Sequence, residues 1–272
     1  MDESRKAIRT ATVILILLVA AVGIYYLFIA DRGKPPVFTE KAAGTEKSVL
    51  EEKTPAGPGE ETSVTLSPDE TDAPLRGRAG EVSANPVFTK WLLTKDLLRR
   101  FVAAVDAIAN GQSPRTQADF IHLSGPFAAL TRGGATYLDP SSYARYDVVA
   151  DVLESMSPAA CARLYRDFQA PLRQAYKDLG YPQGDFHATL LRAIVEILRT
   201  PIVEKPIILE KKVASYVMSD SNLEGLTAPQ KHMLRMGPEN VQLIQAKLRE
   251  LALALGFADG QLPKPRTYFP AR

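Results

Sequence analysis

Residues 11–30, ATVILILLVAAVGIYYLFIA, run for twenty positions without a charge. A helix rises about 1.5 Å per residue, so the run covers roughly 30 Å, the thickness of a bilayer's hydrocarbon core. A soluble core helix of this length carries a polar stripe, and here only Thr12 stands in its place. A cleaved signal peptide has a shorter apolar stretch and a small-x-small cleavage site, whereas this run ends Phe28-Ile29-Ala30-Asp31. The run therefore reads as a permanent transmembrane anchor with the lipid bilayer as its partner. Tyr25, Tyr26 and Phe28 fall near its C-terminal end, at the level of the headgroups. Val19 and Leu27 stand four residues either side of Gly23, so no small-xxx-small pair calls for tight helix dimerisation.

Orientation rests on a slight charge bias. Arg5, Lys6 and Arg9 precede the run, and Arg32 and Lys34 come after it. The N-terminal tail, residues 1–10, is short, and long C-terminal domains cross membranes largely regardless of charge. The expected topology is a cytoplasmic N-terminus and a C-terminal domain outside the inner membrane, in the periplasm. The reverse topology would make the chain a cytoplasmic-facing adaptor.

Beyond the anchor the net charge of +2 hides a division. Residues 31–85 hold seven Lys/Arg against eleven Asp/Glu, a net −4, while residues 86–272 hold twenty-three against eighteen, a net +5. An acidic tether thus carries a mildly basic domain. Five charges over that length make a weak field, which excludes the electrostatic footprint of a nucleic-acid binder. Residues 31–66 are rich in Pro, Gly, Glu, Lys and Thr and poor in large apolar side chains. Such a segment buries too little surface to offset its ordering entropy, so it reads as a disordered spacer.

From residue 67 the periodicity is helical. Ser67-Pro68-Asp69-Glu70 is a helix-start signal, and Gly77 and Gly80 weaken the helix it opens. Asn85-Pro86 opens a strong helix carrying Leu98, Phe101, Val102, Val105 and Ile108 to a stop at Asn110-Gly111. Gly133-Gly134 between Phe127–Arg132 and Ala135–Leu138 predicts a hairpin, because both turn positions tolerate positive φ. Asp139-Pro140 caps a helix through Leu153. Ser157-Pro158 opens another to Leu179, kinked at Pro171 and stopped by Gly180. Asp185 caps a helix through Leu198, and Lys205–Lys212 reads as a short strand or an extended crossing. Thr227 caps a short helix, Gly237-Pro238 is stop and start together, and the last helix runs to Gly256. The expected fold is mainly α: a single transmembrane helix, a disordered tether, then a multi-helix globular domain over 67–257 with a minor β-hairpin. Residues 258–272 form an irregular tail.

Chemistry is sparse at the level of sequence. The chain has one cysteine, Cys161, at an apolar helical position, so no internal disulfide or Cys-based metal site is encoded and the thiol reads as structural. His122, His187 and His232 share no helical turn with one another or with Cys161, so no local metal motif exists. Asp220-Ser221-Asn222-Leu223-Glu224-Gly225 opens like a calcium loop, but Lys231 occupies the position that needs a bidentate Glu, and the segment reads as a capped turn. No catalytic residue, cofactor or metal is assigned. Two groups stand out instead. Arg163, Arg166, Arg173 and Lys177 fall on one helix face, either solvated or meeting an anionic lipid or acidic polymer. Lys231, Arg235, Glu239 and Asn240 surround the Gly237-Pro238 junction. There Arg235 and Glu239 either pair across the corner while Asn240 satisfies a helix end, or all four form a recognition corner.

The blocks LLRRFVAAVDAIANGQSPR (97–115), YLDPSSYARYD (137–147) and QKHMLRMGPENVQLIQAKLREL (230–251) resemble a bacterial family, domain of unknown function 3014. The likeness runs from about Val64 to Gly256. It implies envelope proteins with one N-terminal membrane helix, and it brings no activity and no functional residues. The family pattern has an amide after Val105-Asp106, where this chain has Ala107. The sequence thus points to a tethered, non-enzymatic binding or scaffold module of the cell envelope with a protein or polymer partner. An envelope hydrolase of cell-wall or lipid material, its site formed only in the fold, is the rival.

Overall fold

The computed structural model describes residues 66–121, 123–213 and 215–270. The apolar run 11–30, the tether up to residue 65, and His122 lie outside the described residues. Among the described residues no helix is long and apolar enough to cross a membrane.

A mainly helical domain with a small antiparallel sheet begins where the helix-start signal predicts it. Ser67 N–H donates to the Glu70 carboxylate at 3.2 Å, and the Glu70 N–H to the Ser67 carbonyl at 3.1 Å, around a 3-10 turn, Pro68–Glu70. Helices α1 (Asp72–Gly77), α2 (Ala79–Val82) and α3 (Pro86–Trp91) come next. Their Leu75, Val82, Phe88 and Trp91 belong to the main core. Two arginines fasten this segment down. Arg78, only 5% exposed, meets Asp167 at 2.9 Å, and Arg99 meets both Asp69 and Asp178 at 2.7 Å.

Helix α4 (Leu97–Ala109) is separate from α3, which corrects the single helix expected from Pro86 onward. Asp96 adopts a left-handed conformation, φ +59°, and breaks the ladder between them. The break is compensated from outside, because Arg76 donates to the carbonyls of Leu92 and Thr94 at 2.6 and 2.9 Å. The C-terminus of α4 ends as its residues predict. Gly111 takes φ +67°, and Gln112 N–H returns to the Ala107 carbonyl at 2.8 Å, a Schellman closure.

Strands β1 (Ala129–Arg132) and β2 (Ala135–Leu138) flank Gly133 and Gly134 at φ +59° and +79°. Two further strands, β3 (Ile208–Lys211) and β4 (Tyr216–Met218), extend the hairpin to a sheet of order β1-β2-β3-β4. The sequence signals the hairpin and the segment that becomes β3 but not β4, which is three residues long and whose turn carries no Gly, Pro, Asn or Asp.

Two helices are shorter than their periodicity suggests. Asp139 caps a 3-10 turn at Pro140–Ser142, and α5 begins only at Asp147, running to Glu154. The helix from Pro158 breaks rather than kinks: α6 (Pro158–Asp167) and α7 (Gln169–Asp178) meet at Phe168. Pro171 has no N–H to give the Asp167 carbonyl and its ring crowds that group, so the ladder stops there. Helix α8 (Phe186–Leu198) starts on the Asp185 cap, and α9 (Ser221–Glu224) and α10 (Ala228–Arg235) on Asp220 and Thr227. Helix α11 (Pro238–Ala254) closes the set.

The main core forms where α4 packs on α7 and α8, and α11 on α5, α6, α8 and α10. Phe101 and Phe186 meet edge to face with ring centroids 5.7 Å apart. Each such fully buried side chain contributes about 1.5–3 kcal/mol. Buried Gln245 donates to the carbonyls of Ile197, Leu198 and Thr200, satisfying the end of α8. A second, smaller core sits under the sheet, where Leu138, Leu209 and Met218 pack with Val203, Ile207, Leu223 and Leu234. The tail from Leu262 is docked: Ile202 N–H donates to Arg266 O and Tyr268 N–H to Ile202 O, both at 2.9 Å.

Candidate functional site

The second core opens into a groove. Its cavity of about 990 Å³ is walled by Leu130, Arg132 and Tyr137 on the sheet, by Lys205–Ile208, and by Ser219–Leu223 at the start of α9, with Pro270 from the tail. Leu138, Ile207 and Leu223, all buried, form its apolar floor. Lys205 stands over the exposed Phe269 ring, its Nζ 5.7 Å from the centroid. A second cavity of about 420 Å³ lies at the helix corner, lined by Tyr143, Asp147, Glu204, Gly237, Glu239 and Asn240 among others. Pro140 and Pro206 line both, so the two adjoin.

The groove is charge-polarised. Arg132 and Lys205 line the sheet end, while Asp147, Glu204 and Glu239 line the corner end. The one acid at the sheet end is already engaged, since Asp220 accepts from the Asn222 and Leu223 N–H groups and from the Tyr268 hydroxyl. Burial pushes the Tyr143 phenol above its ordinary value, and neighbouring Asp139 adds to the effect. Tyr143 therefore stays a neutral hydroxyl in the wall of the corner cavity.

The structure divides the four corner residues. Asn240 is 6% exposed, and its amide donates to Asp147 at 2.9 Å, to the Met236 carbonyl at 3.0 Å and to the Tyr143 carbonyl at 3.4 Å. It therefore satisfies the end of α10, orients Asp147 and lines the corner cavity at once. Glu239 is exposed and lines the same cavity. Lys231 and Arg235 line neither cavity. Lys231 binds Glu224 at 2.7 Å, and half-buried Arg235 lies close enough to lower both the Glu224 and His232 pKa values.

Burial alone would raise the Glu224 carboxyl, but Lys231 and the Met218 N–H outweigh it and hold the group below the usual carboxylate range. Glu224 and Lys231 are thus spoken for, and the Asp220 segment is a capped helix start. Among the described residues no group of three or more His, Cys, Asp or Glu is placed to hold a metal ion. His187 packs between Tyr165, whose hydroxyl is 2.9 Å from Nδ1, and the stacked ring of Phe257. His232 is buried, and burial with nearby Arg235, Lys231 and Arg115 holds its pKa well below the ordinary value. Cys161 is buried on α6 and its thiol is pushed up to about 12 by that burial.

The break at Phe168 divides the four basic residues between two helices. Arg163 and Arg166 belong to α6, Arg173 and Lys177 to α7, and all four are exposed. Ala107 is buried on α4 and lines neither cavity. Arg132, Tyr137 and Lys205, which shape the groove, carry no local signal in the sequence. Asp220–Leu223 did stand out there, as the capped turn that the structure shows.

The site and fold define a helical domain that carries a small sheet with an open, charge-polarised groove on it. Residues 97–252, more than half of the chain, match the family described as Protein of unknown function (DUF3014), and the chain belongs to that family. Comparison with curated proteins and with solved structures finds no match.

Proposed function

We propose that this chain is a membrane-tethered binding module of the cell envelope, whose C-terminal domain holds a segment of a partner protein in the groove. The observation that carries the reading is the groove's form: open, apolar-floored, basic at the sheet end and acidic at the corner. Apolar clefts with few fixed polar groups are the usual form of binding sites. Opposite charges at the two ends set the direction in which an extended segment lies, and reject the reversed one. The uncharged run 11–30 and the acidic spacer 31–66 support placing this domain at a distance from the inner membrane.

Brief in-cell crosslinking followed by capture of the tagged full-length chain tests the groove, with an Arg132→Glu/Lys205→Glu variant alongside. A discrete partner held by the wild type and lost by the variant is the expected result. The same partner on both forms, or none on either, overturns it. Protease added to spheroplasts tests the topology: digestion of the C-terminal domain is expected, and its protection would make the chain a cytoplasmic-facing adaptor.

A further inference from the structure

The two edges of the sheet are finished differently. Gly133-Gly134 joins Arg132 to Ala135, and the Asp139 N–H donates to the Ala128 carbonyl at 3.3 Å. In an antiparallel ladder hydrogen-bonded pairs alternate with non-bonded ones. The bonded positions on β1 are therefore Ala128, Leu130 and Arg132, and the N–H and C=O groups of Ala129 and Thr131 point away from β2. The same parity turns Tyr216 and Met218 outward on β4, since the Ser219 N–H donates to Ile208 O. There the Met218 N–H is taken by Glu224 at 2.8 Å, and Lys231 braces Glu224. No described group takes the outward backbone of Ala129 or Thr131. β1 is short and ends in Arg132, but its interior carries no charge, Pro or bulge to protect the free edge.

We propose that this β1 edge pairs antiparallel with β1 of a second copy of the chain, about a two-fold axis through Leu130. The register is self-complementary. Ala129 stands opposite Thr131 of the second copy and Thr131 opposite its Ala129, so the outward groups exchange four backbone hydrogen bonds. Leu130 then faces Leu130 of the second copy at a non-bonded position, where opposed Cβ atoms stand about 4.5–5.5 Å apart. Its side chain is 47% exposed in the single chain, and this contact covers it. Charge agrees with the same register. The two Arg132 side chains lie at opposite ends of the pair. Each shares a sheet face with Asp139 of the second copy, which borders the Ala128 it stands against. Because Leu130 lines the groove, the pairing also brings two grooves together across the axis.

The test is disulfide trapping of the full-length Leu130→Cys variant, oxidised with copper-phenanthroline in freshly broken cells. The natural sequence has one cysteine, Cys161, and it is buried, so the introduced thiol reports alone. The expected product is a dimer, formed at least several-fold faster than with Leu93→Cys, a control at a residue 72% exposed. Adding Thr131→Pro to Leu130→Cys removes an N–H that the hairpin does not use and leaves a residue that edge strands tolerate. It should cut dimer trapping about tenfold while the circular dichroism stays unchanged. Trapping no faster than the Leu93→Cys control, trapping indifferent to the proline, or a crosslink to a different protein would each overturn the pairing.

Discussion

The carboxylate of Asp72 accepts hydrogen bonds from the backbone N–H groups of Leu97 and Asp96, each at 3.0 Å, so α4 begins on a cap supplied from far upstream. Asp96 cannot cap the helix itself, because it is held at φ +59° with no side-chain bond to the first turn. The family match begins at Leu97, yet the group that completes Leu97 lies outside it. Asp72→Ala should lower stability by about 1–2 kcal/mol, the usual cost of losing a cap. Asp72→Asn, which keeps one accepting oxygen, should cost less. Urea unfolding with an unchanged slope checks both.

Gly237 joins α10 to α11 at φ +84° and ψ 160°, a region open to glycine and strained for other residues. A Cβ there would meet the Tyr143 ring at 2.5 Å. Gly237→Ala should therefore cost about 2 kcal/mol or more, combining backbone strain of about 1–3 kcal/mol with overpacking. In a Tyr143→Ala background the substitution should cost measurably less, because the clash with the ring is gone. Thermal unfolding of the four variants gives the cycle.

Glu224 takes the outward Met218 N–H of the β4 edge, so Glu224→Ala should expose that amide and speed its hydrogen exchange about tenfold, the equivalent of about 1.4 kcal/mol for one charge-assisted bond. The pH dependence has a definite sign. The folded carboxyl is held below its ordinary value, so its contribution is complete above about pH 4.3. It is lost as the pH falls through the folded value, and Met218 protection should fall with it.

His232 is a base whose folded pKa is depressed by burial, so the unfolded chain binds the proton first. Stability should then rise with pH in the window between the folded value and about 6.5, by up to about 1.4 kcal/mol per pH unit. Below the window the loss is complete. His232→Leu should flatten that slope in unfolding midpoints measured from pH 4.5 to 7.

Much of the helical domain was legible because its signals are local. Asp185, Thr227 and Asp220 each bond the N–H groups one turn ahead, and Gly111, Gly180 and Gly256 each take the positive φ that ends a helix. Gly133-Gly134 announced the hairpin in the same way. The failures have separate physical origins. The helix from Pro86 stopped short because Arg76 and Asp72 bind the backbone of residues 92–97 across the fold, and no window along the chain holds that competition. Strand β4 was missed because three residues carry too little periodicity to outweigh their neighbours.

The candidate site divides along the same line. Its corner could be found because Gly237-Pro238 is a conformational signature, and Glu239 and Asn240 stand beside it in sequence. Lys231 and Arg235 stand equally near, yet the helix turns Lys231 toward Glu224 and leaves both outside the cavities. Arg132 and Lys205 are separated by helices α5 to α8 and line one groove because β2 pairs with both β1, which ends at Arg132, and β3, which follows Lys205.

By itself, then, the sequence determined the helix starts and stops, the hairpin, the family and the composition of each segment, since capping, glycine conformation and apolar periodicity act within a few residues. The break before α4, the fourth strand, the polarity of the groove and the unequal finish of the two sheet edges were decided only by tertiary structure. Each depends on a hydrogen bond or a charge that a distant part of the chain delivers, and its strength is set by burial that exists only once the domain has closed.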